Sequence, residues 1–225
     1  MGKALAASFG DAARTFDEAS DALGFDLRAL CWDGPGSDLE RTANAQPAIL
    51  ATSIAALRAA RAEGLIAGEP VLLGHSLGEF TALVAGGALD FGDALRLVRK
   101  RGELMQAADA SGGMAAVLGL DADAVASAID GTGIVVANDN APGQVVITGP
   151  LAAMPKATDA LKAAGAKRVF RLKVSGAFHS PAMRAVAPQL AEAIRATPFH
   201  PLKYPVIANV DAQVHTNSSD FVTLL

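Results

Sequence analysis

The chain has 225 residues, 51% of them apolar, and a formal net charge of −4. That length suits one sizeable domain, or one carrying a small insert, and the composition is globular rather than disordered or coiled-coil. The acidic balance argues against a nucleic-acid partner, and the single cysteine, Cys31, excludes an intrachain disulfide framework and fits a reducing, cytoplasmic setting.

The N-terminal segment acquires Asp11, Asp17 and Glu18 early, which suits neither a secretory nor a transit peptide. No window approaches the roughly 20 apolar residues of a membrane span, so a soluble, unexported protein with no membrane partner is expected. Ala12, Phe16, Ala19 and Leu23 fall on one face at helical spacing and predict a helix over 11–23. A second helix is expected to start at Gln46-Pro47, where proline suits a first turn, and to run through Ile49, Leu50, Ile54 and Leu57 to Gly64. PVLLG (70–74) reads as a buried strand, Leu77–Gly86 as a helix, and DFGDALRLVRKRGELMQAA (90–108) as a long helix capped by Asp90 or Asp93.

The rhythm then changes. GMAAVLGL (113–120) is strand-like, and DADAVASAID (121–130) is a short helix capped by Asp121. GIVVAN (133–138) and QVVITG (144–149) flank the turn DNAPG. A helix over 151–165 and a strand over 167–174 complete the set. Strand-helix-strand-strand-helix-strand is the ferredoxin-like order. The expected organisation is therefore a larger α/β subdomain (1–112 and 176–225) with a ferredoxin-like insert at 113–175. A helix at 180–196, kinked or restarted at Pro188, and a strand at 204–210 close the chain.

Ser76 lies between Gly74 and Gly78 in GHSLGEF, a G-x-S-x-G match placed between a predicted strand and a predicted helix. That is the arrangement a nucleophile elbow needs, and the helix N-terminus aims backbone N–H groups at developing negative charge. A packing turn is the competing reading. A serine nucleophile needs a base. His75 leaves the backbone in the wrong direction to serve its neighbour, and His200 and His215 sit in segments where a solvated histidine is ordinary. His179, in VSGAFHSPAM at the end of the insert, is the best-placed candidate. An α/β-hydrolase reading loses ground, because residues 1–69 are helical in pattern, no HGGG-type loop is present and no acidic third member stands out.

TANAQPAI (42–49), GHSLGEF (74–80), LVRKRGELM (97–105), GGMAAVLGL (112–120), NDNAPGQVVITG (138–149) and VSGAFHSPAM (174–183) occur in one order along practically the whole chain. In them the sequence resembles the malonyl-CoA:acyl carrier protein transacylase family of fatty-acid and polyketide synthesis. The resemblance implies a hydrolase-like large subdomain with a parallel sheet core and a ferredoxin-like insert. It implies Ser76 as the acylated nucleophile, His179 as general base and acid, and Arg101 as the residue pairing with the free carboxylate of malonate. It further implies Leu77 as an oxyanion N–H donor, Gln46 and Asn140 as polar lining residues, and Phe178 as a residue narrowing the pocket toward malonyl. Gln46 and Asn140 read equally well as a capping and a turn residue. The implied substrates are malonyl-CoA and acyl carrier protein, with no metal and no cofactor beyond the coenzyme A thioester. Lys167, Arg168, Arg171 and Lys173 form either a carrier-protein contact or a solvated strand face.

The family pattern opens upstream of Met1 with a strand and a Gly-Gln-Gly-Ser-Gln loop, and it continues beyond Leu225, where a backbone carbonyl orients the base. The chain thus corresponds to the pattern without its two ends. A serine thioesterase or esterase, and a non-catalytic carrier-binding module, are the alternative functions.

Overall fold

The computed structural model describes residues 1–108, 111–174 and 176–225. Ser175, the last residue of the expected insert, lies outside them. In chain order the helices α1 (Lys3–Ser8), α2 (Gly10–Leu23), α3 (Leu27–Trp32), α4 (Gly36–Glu40), α5 (Thr42–Ala62), α6 (Leu77–Ala85) and α7 (Phe91–Ala108) come first. Then follow β1 (Gly112–Leu118), α8 (Ala122–Ile129), β2 (Val135–Ala141), β3 (Gln144–Pro150), α9 (Met154–Ala163) and β4 (Arg168–Arg171). The last elements are α10 (Ala187–Ala196), β5 (Val206–Ile207), β6 (Val214–His215) and α11 (Phe221–Leu224). The chain divides into two compact units, Met1–Glu103 with Gln189–Leu225, and Leu104–Pro188. None of the described helices is long and apolar enough to cross a membrane.

The larger unit is a helical packing around Phe16, Leu50, Leu83, Leu95, Val98 and Phe221, each fully buried. α2 forms where the periodicity places it, burying Ala12, Phe16 and Ala19. α5 starts four residues earlier than expected, at Thr42, so that Pro47 lies inside the helix. A proline there removes the N–H that would bond the Ala43 carbonyl. That carbonyl accepts instead from the Arg99 guanidinium of α7 at 3.2 Å, which also donates to Asn44 Oδ1. The same crossing explains a glycine: a Cβ on Gly102 would lie 2.7 Å from both Ala43 Cα and the Thr42 carbonyl oxygen. Only a residue without a side chain lets α7 come this close to α5.

The expected buried strand at 70–74 is not one. Among the described residues its pairing is a single parallel bridge, Leu72 with Val206, and the parallel pairing of the larger unit is confined to it. Val71 is 50% and Leu73 68% exposed. An apolar run is buried only where neighbours cover both its faces, and composition alone does not reveal that. The strand expected over 204–210 likewise shortens to β5, which pairs antiparallel with β6.

The smaller unit contains a four-stranded antiparallel sheet in the order β2-β3-β1-β4. With α8 and α9 as crossovers this is the ferredoxin-like arrangement. Ala115, Val117, Val145 and Ile147 pack with Val125 and Ile129 of α8 and with Ala157 and Leu161 of α9. Asp121 caps α8 as expected, its side chain accepting the Ala124 N–H at 2.8 Å. β2 runs further than predicted, to Ala141, with register shifts at Val136/Asn138 and Asp139/Ala141, leaving a tight turn in which Gly143 has φ 74°. The helix expected from 151 begins as a 3₁₀ turn and becomes α9 only at Met154, where Pro155 fits the first turn. The helix expected over 180–196 is split the same way: a 3₁₀ turn at Pro181–Ala185, then α10, with Pro188 near its start.

Candidate active site

Ser76 stands between the Leu72 bridge and α6 with φ 54° and ψ −102°, a conformation that L residues rarely adopt. Such strain costs about 1–3 kcal/mol and persists only where the surroundings over-determine it. Gly74 shows how tightly the chain turns: a Cβ there would meet the Gly78 carbonyl carbon and oxygen at 2.1 Å. The Gly78 N–H donates to the His75 carbonyl at 2.8 Å and the Glu79 N–H to the Ser76 carbonyl at 3.3 Å, closing the first turn of α6. Ser76 makes no side-chain cap, so its hydroxyl is not spent on the helix. Leu77 is the first residue of α6, where backbone N–H groups lack intrahelical acceptors.

Arg101 reaches this serine. Its Nη2 donates to Ser76 Oγ at 2.9 Å, and its Nη1 donates to Gln46 Oε1 at 2.7 Å. Gln46 is buried in α5 and is itself fixed by donating from Nε2 to Thr42 Oγ1 at 2.9 Å. The guanidinium also lies over the Phe80 ring, 5.7 Å from its centroid. Burial lowers the Arg101 pKa to about 10, against a smaller opposing pull from Glu79, so the group is a cation throughout the physiological range. Serine hydroxyl, guanidinium and amide thus form one hydrogen-bonded row, with the arginine fork beside the serine oxygen.

Two residues that sequence reasoning missed hold the elbow from behind. Asn209 Oδ1 accepts the Ser76 N–H at 2.7 Å, and Asn209 Nδ2 donates to the Gly74 carbonyl at 2.7 Å. Its own backbone N–H donates to Glu79 Oε1 at 3.0 Å. Glu79 is buried, and that desolvation raises its pKa, opposed first by the Asn209 N–H and then by the Arg101 charge. A signal for Glu79 was present: Ser76-x-x-Glu79 spells a capping box. In a capping box the glutamate would take the serine N–H directly. Here the asparagine stands between them.

The other expected residues distribute as follows. His75 is exposed. His179 belongs to the smaller unit and is exposed with φ 56°. Its turn is clamped by Ser180, whose Oγ donates to the Ala177 carbonyl at 2.7 Å and accepts the Ala182 N–H at 3.2 Å. Phe178 is buried against Met114 and Val146. Asn140 is an exposed residue of β2 at its second register shift. His200 is exposed beside Asp90, at 3.2 Å. His215 is not the solvated loop histidine expected. On β6 it lies between Asp220 and Asp211, each at 3.1 Å, and edge-on to the buried ring of Phe221. The Asp220 hydrogen bond leads in raising its pKa, with burial opposing and Asp211 adding.

The chain matches the acyl transferase domain family over residues 1–221. It is 44% identical over 227 residues to the malonyl CoA-acyl carrier protein transacylase of Bacillus subtilis, covering 98% of this chain and 71% of that protein. The Escherichia coli K12 protein of the same name is also 44% identical, over 95% of this chain and 71% of its own length. Among solved structures, the holo complex of a type II polyketide-synthase acyl-carrier protein with its malonyl-transacylase superposes with a TM-score of 0.93. Identity there is 40%, over 100% of this chain and 74% of that one. An acyl carrier protein S-malonyltransferase from Vibrio cholerae gives a TM-score of 0.89 at 42% identity, over 97% of this chain and 73% of that one. A mixed α/β acyltransferase fold, a serine on a strained turn and an arginine fork against its hydroxyl all agree with these likenesses: the chain belongs to the acyl transferase family, in its malonyl-CoA:acyl carrier protein transacylase branch.

Proposed function

We propose that the protein transfers the malonyl group from malonyl-CoA to the phosphopantetheine thiol of acyl carrier protein through a malonyl-Ser76 intermediate, supplying fatty-acid synthesis in the cytoplasm. The observation that carries this reading is the 2.9 Å hydrogen bond from Arg101 to Ser76 Oγ. Malonyl has one methylene between its thioester carbonyl and its carboxylate. A cation that grips the carboxylate must therefore lie within a few bond lengths of the nucleophile, as Arg101 does. The guanidinium fork holds a carboxylate through parallel charge-assisted bonds, and Gln46 keeps one arm in place.

In the proposed reaction His179 accepts the Ser76 proton as Oγ attacks the thioester carbonyl. The oxyanion is stabilised by backbone N–H groups at the start of α6, that of Leu77 among them. Collapse breaks the carbon–sulfur bond, and the proton passes from His179 to the coenzyme A thiolate. The carrier thiol then attacks malonyl-Ser76 by the reverse steps. The role of His179 rests on its place in the family pattern. The roles of Phe178, narrowing the pocket toward malonyl, and of Asn140, a polar lining residue, rest on the same pattern. No metal or cofactor takes part beyond the coenzyme A thioester. The exposed row Lys167, Arg168, Arg171 and Lys173 suits an acidic carrier. We assign 113–175 as the inserted subdomain of this enzyme.

The test is intact-mass spectrometry of the chain incubated with malonyl-CoA, with Ser76→Ala as control. A malonyl adduct on the wild type alone, discharged by holo acyl carrier protein, is the expected result. Release of free malonate without a carrier would make the protein a thioesterase. Carrier binding with no adduct would make it a non-catalytic module.

A further inference from the structure

We propose that Asn209 is a positioning residue for the Ser76 nucleophile, its side-chain amide replacing the strand main chain at the point where the backbone turns into the elbow. The inference rests on the acyl-serine reading above and adds a residue that reading does not contain.

The register carries the argument. Leu72 is paired in the parallel manner: its N–H donates to the Pro205 carbonyl and its carbonyl accepts the Ile207 N–H, each at 2.8 Å. Continued by two residues, a parallel ladder would bring the Asn209 backbone N–H to the Gly74 carbonyl. The chain cannot continue it, because after Gly74 it swings into the strained turn at Ser76. The Asn209 side chain takes over instead. Its Nδ2 supplies the donor that the Gly74 carbonyl is owed, and its Oδ1 accepts the Ser76 N–H, both at 2.7 Å. The amide orientation follows from these partners, since a flipped side chain would set oxygen against oxygen and nitrogen against nitrogen.

The backbone N–H thus released from the ladder does not go unpaired. It donates to the buried carboxylate of Glu79 at 3.0 Å, three residues into the helix that follows the serine. Asn209 therefore bonds to Gly74, Ser76 and Glu79, before, at and after the strained residue. Its own loop is held in turn: the Ala208 N–H donates to the Gln213 carbonyl at 3.1 Å and the Ala212 N–H to the Ala208 carbonyl at 3.0 Å. Without the side-chain amide, Ser76 loses the hydrogen bond that fixes its peptide, and Oγ no longer has a defined line of attack beside Arg101.

The test compares wild type, Asn209→Ala, Asn209→Asp and Glu79→Gln by single-turnover acylation with malonyl-CoA, alongside hydrogen exchange of the Ser76 amide. Misplacement of a reacting group by about 1 Å costs on the order of 10²-fold in rate. Asn209→Ala is expected to lower the saturating acylation rate by about that factor while the concentration dependence for malonyl-CoA, set by Arg101, stays put, and to speed Ser76 exchange. Asn209→Asp keeps the acceptor for the Ser76 N–H but loses the donor to Gly74, and should fall between. Glu79→Gln keeps an acceptor for the Asn209 N–H and should lower the rate by less than Asn209→Ala does. A wild-type saturating rate in Asn209→Ala, or a loss confined to substrate affinity, overturns the proposal. If Asn209→Ala does not fold, a wild-type rate in Asn209→Asp does the same. If the wild type forms no adduct, the acyl-serine reading falls by itself. Slow Ser76 exchange that Asn209→Ala releases would then still support the clamp, and fast exchange in the wild type would overturn it.

Discussion

In the smaller unit a residue's place follows from its position in a regular hydrogen-bonded ladder. β1 and β3 pair over seven residues without interruption, alternate side chains enter the core, and both crossover helices cover the same face of the sheet. In the larger unit the decisive positions are set by residues far away in the chain. Ser76 is held by Asn209, Arg101 by Gln46, and the Ala43 carbonyl by Arg99. The regular unit spreads its stability over many equivalent contacts. The irregular one concentrates geometry in a few hydrogen bonds made across strained or proline-interrupted backbone. Ser76 lies on backbone of the second kind, where a side chain is held in a place that a regular ladder would have buried.

Substitutions can break or sharpen this contrast. The largest effect is expected at Ser76: Ser76→Ala should lower malonyl transfer by about 10⁴-fold or more with little change in thermal stability, read by transfer assay and melting curve. Ile147→Ala in β3 should do the reverse. Ile147 is fully buried, so its truncation should cost about 2–5 kcal/mol in denaturant unfolding while the folded fraction keeps its turnover rate. If Ile147→Ala lowered turnover per folded molecule, the two regions would not be separable in this way. Arg101→Ala should reduce kcat/KM for malonyl-CoA by about 10²–10³-fold and leave acetyl transfer unchanged or raised. Because burial brings the Arg101 pKa down to about 10, the wild-type preference for malonyl should fade as pH rises through that value, where the cation is lost.

The smallest effect concerns pH and stability. The His215 pKa is raised by Asp220 and Asp211, so the folded state favours the imidazolium. Its stabilising contribution is complete below the unfolded value of about 6.5 and is lost as pH climbs through the higher folded value. Denaturant midpoints measured at about pH 5.5 and about pH 8 should therefore fall with rising pH, and His215→Asn should flatten that slope. An unchanged slope in the variant would mean that another group carries it.

The elements of the smaller unit were legible in the sequence because their causes are local. Asp121 precedes its helix, the apolar residues of β3 are continuous, and a glycine marks the tight turn between β2 and β3. The G-x-S-x-G turn was legible for the same reason. Arg101 came only from resemblance to a family, since nothing in its neighbourhood on α7 distinguishes it from Arg99. Asn209 was invisible: it lies 133 residues from Ser76, and its role depends on a ladder that stops short. Pro47 suits a first turn by its chemistry, yet α5 starts at Thr42, because the donor that the proline lacks is supplied from another helix. The burial of 70–74 was overestimated because apolar composition says what a segment can bury, not what covers it.

Pro47 has a consequence for engineering. Exchanging an interior helix proline for alanine ordinarily gains about 3 kcal/mol, because the exchange restores one hydrogen bond and relieves a clash. In α5 the restored N–H would compete with the Arg99 guanidinium for a single carbonyl. Arg99 precedes Arg101 by two residues on the same helix, so a change that improves α5 as an isolated helix would loosen the mark by which α7 finds its sliding position along it. A consensus-minded stabilisation of this helix would then be felt as a loss of discrimination between acyl groups.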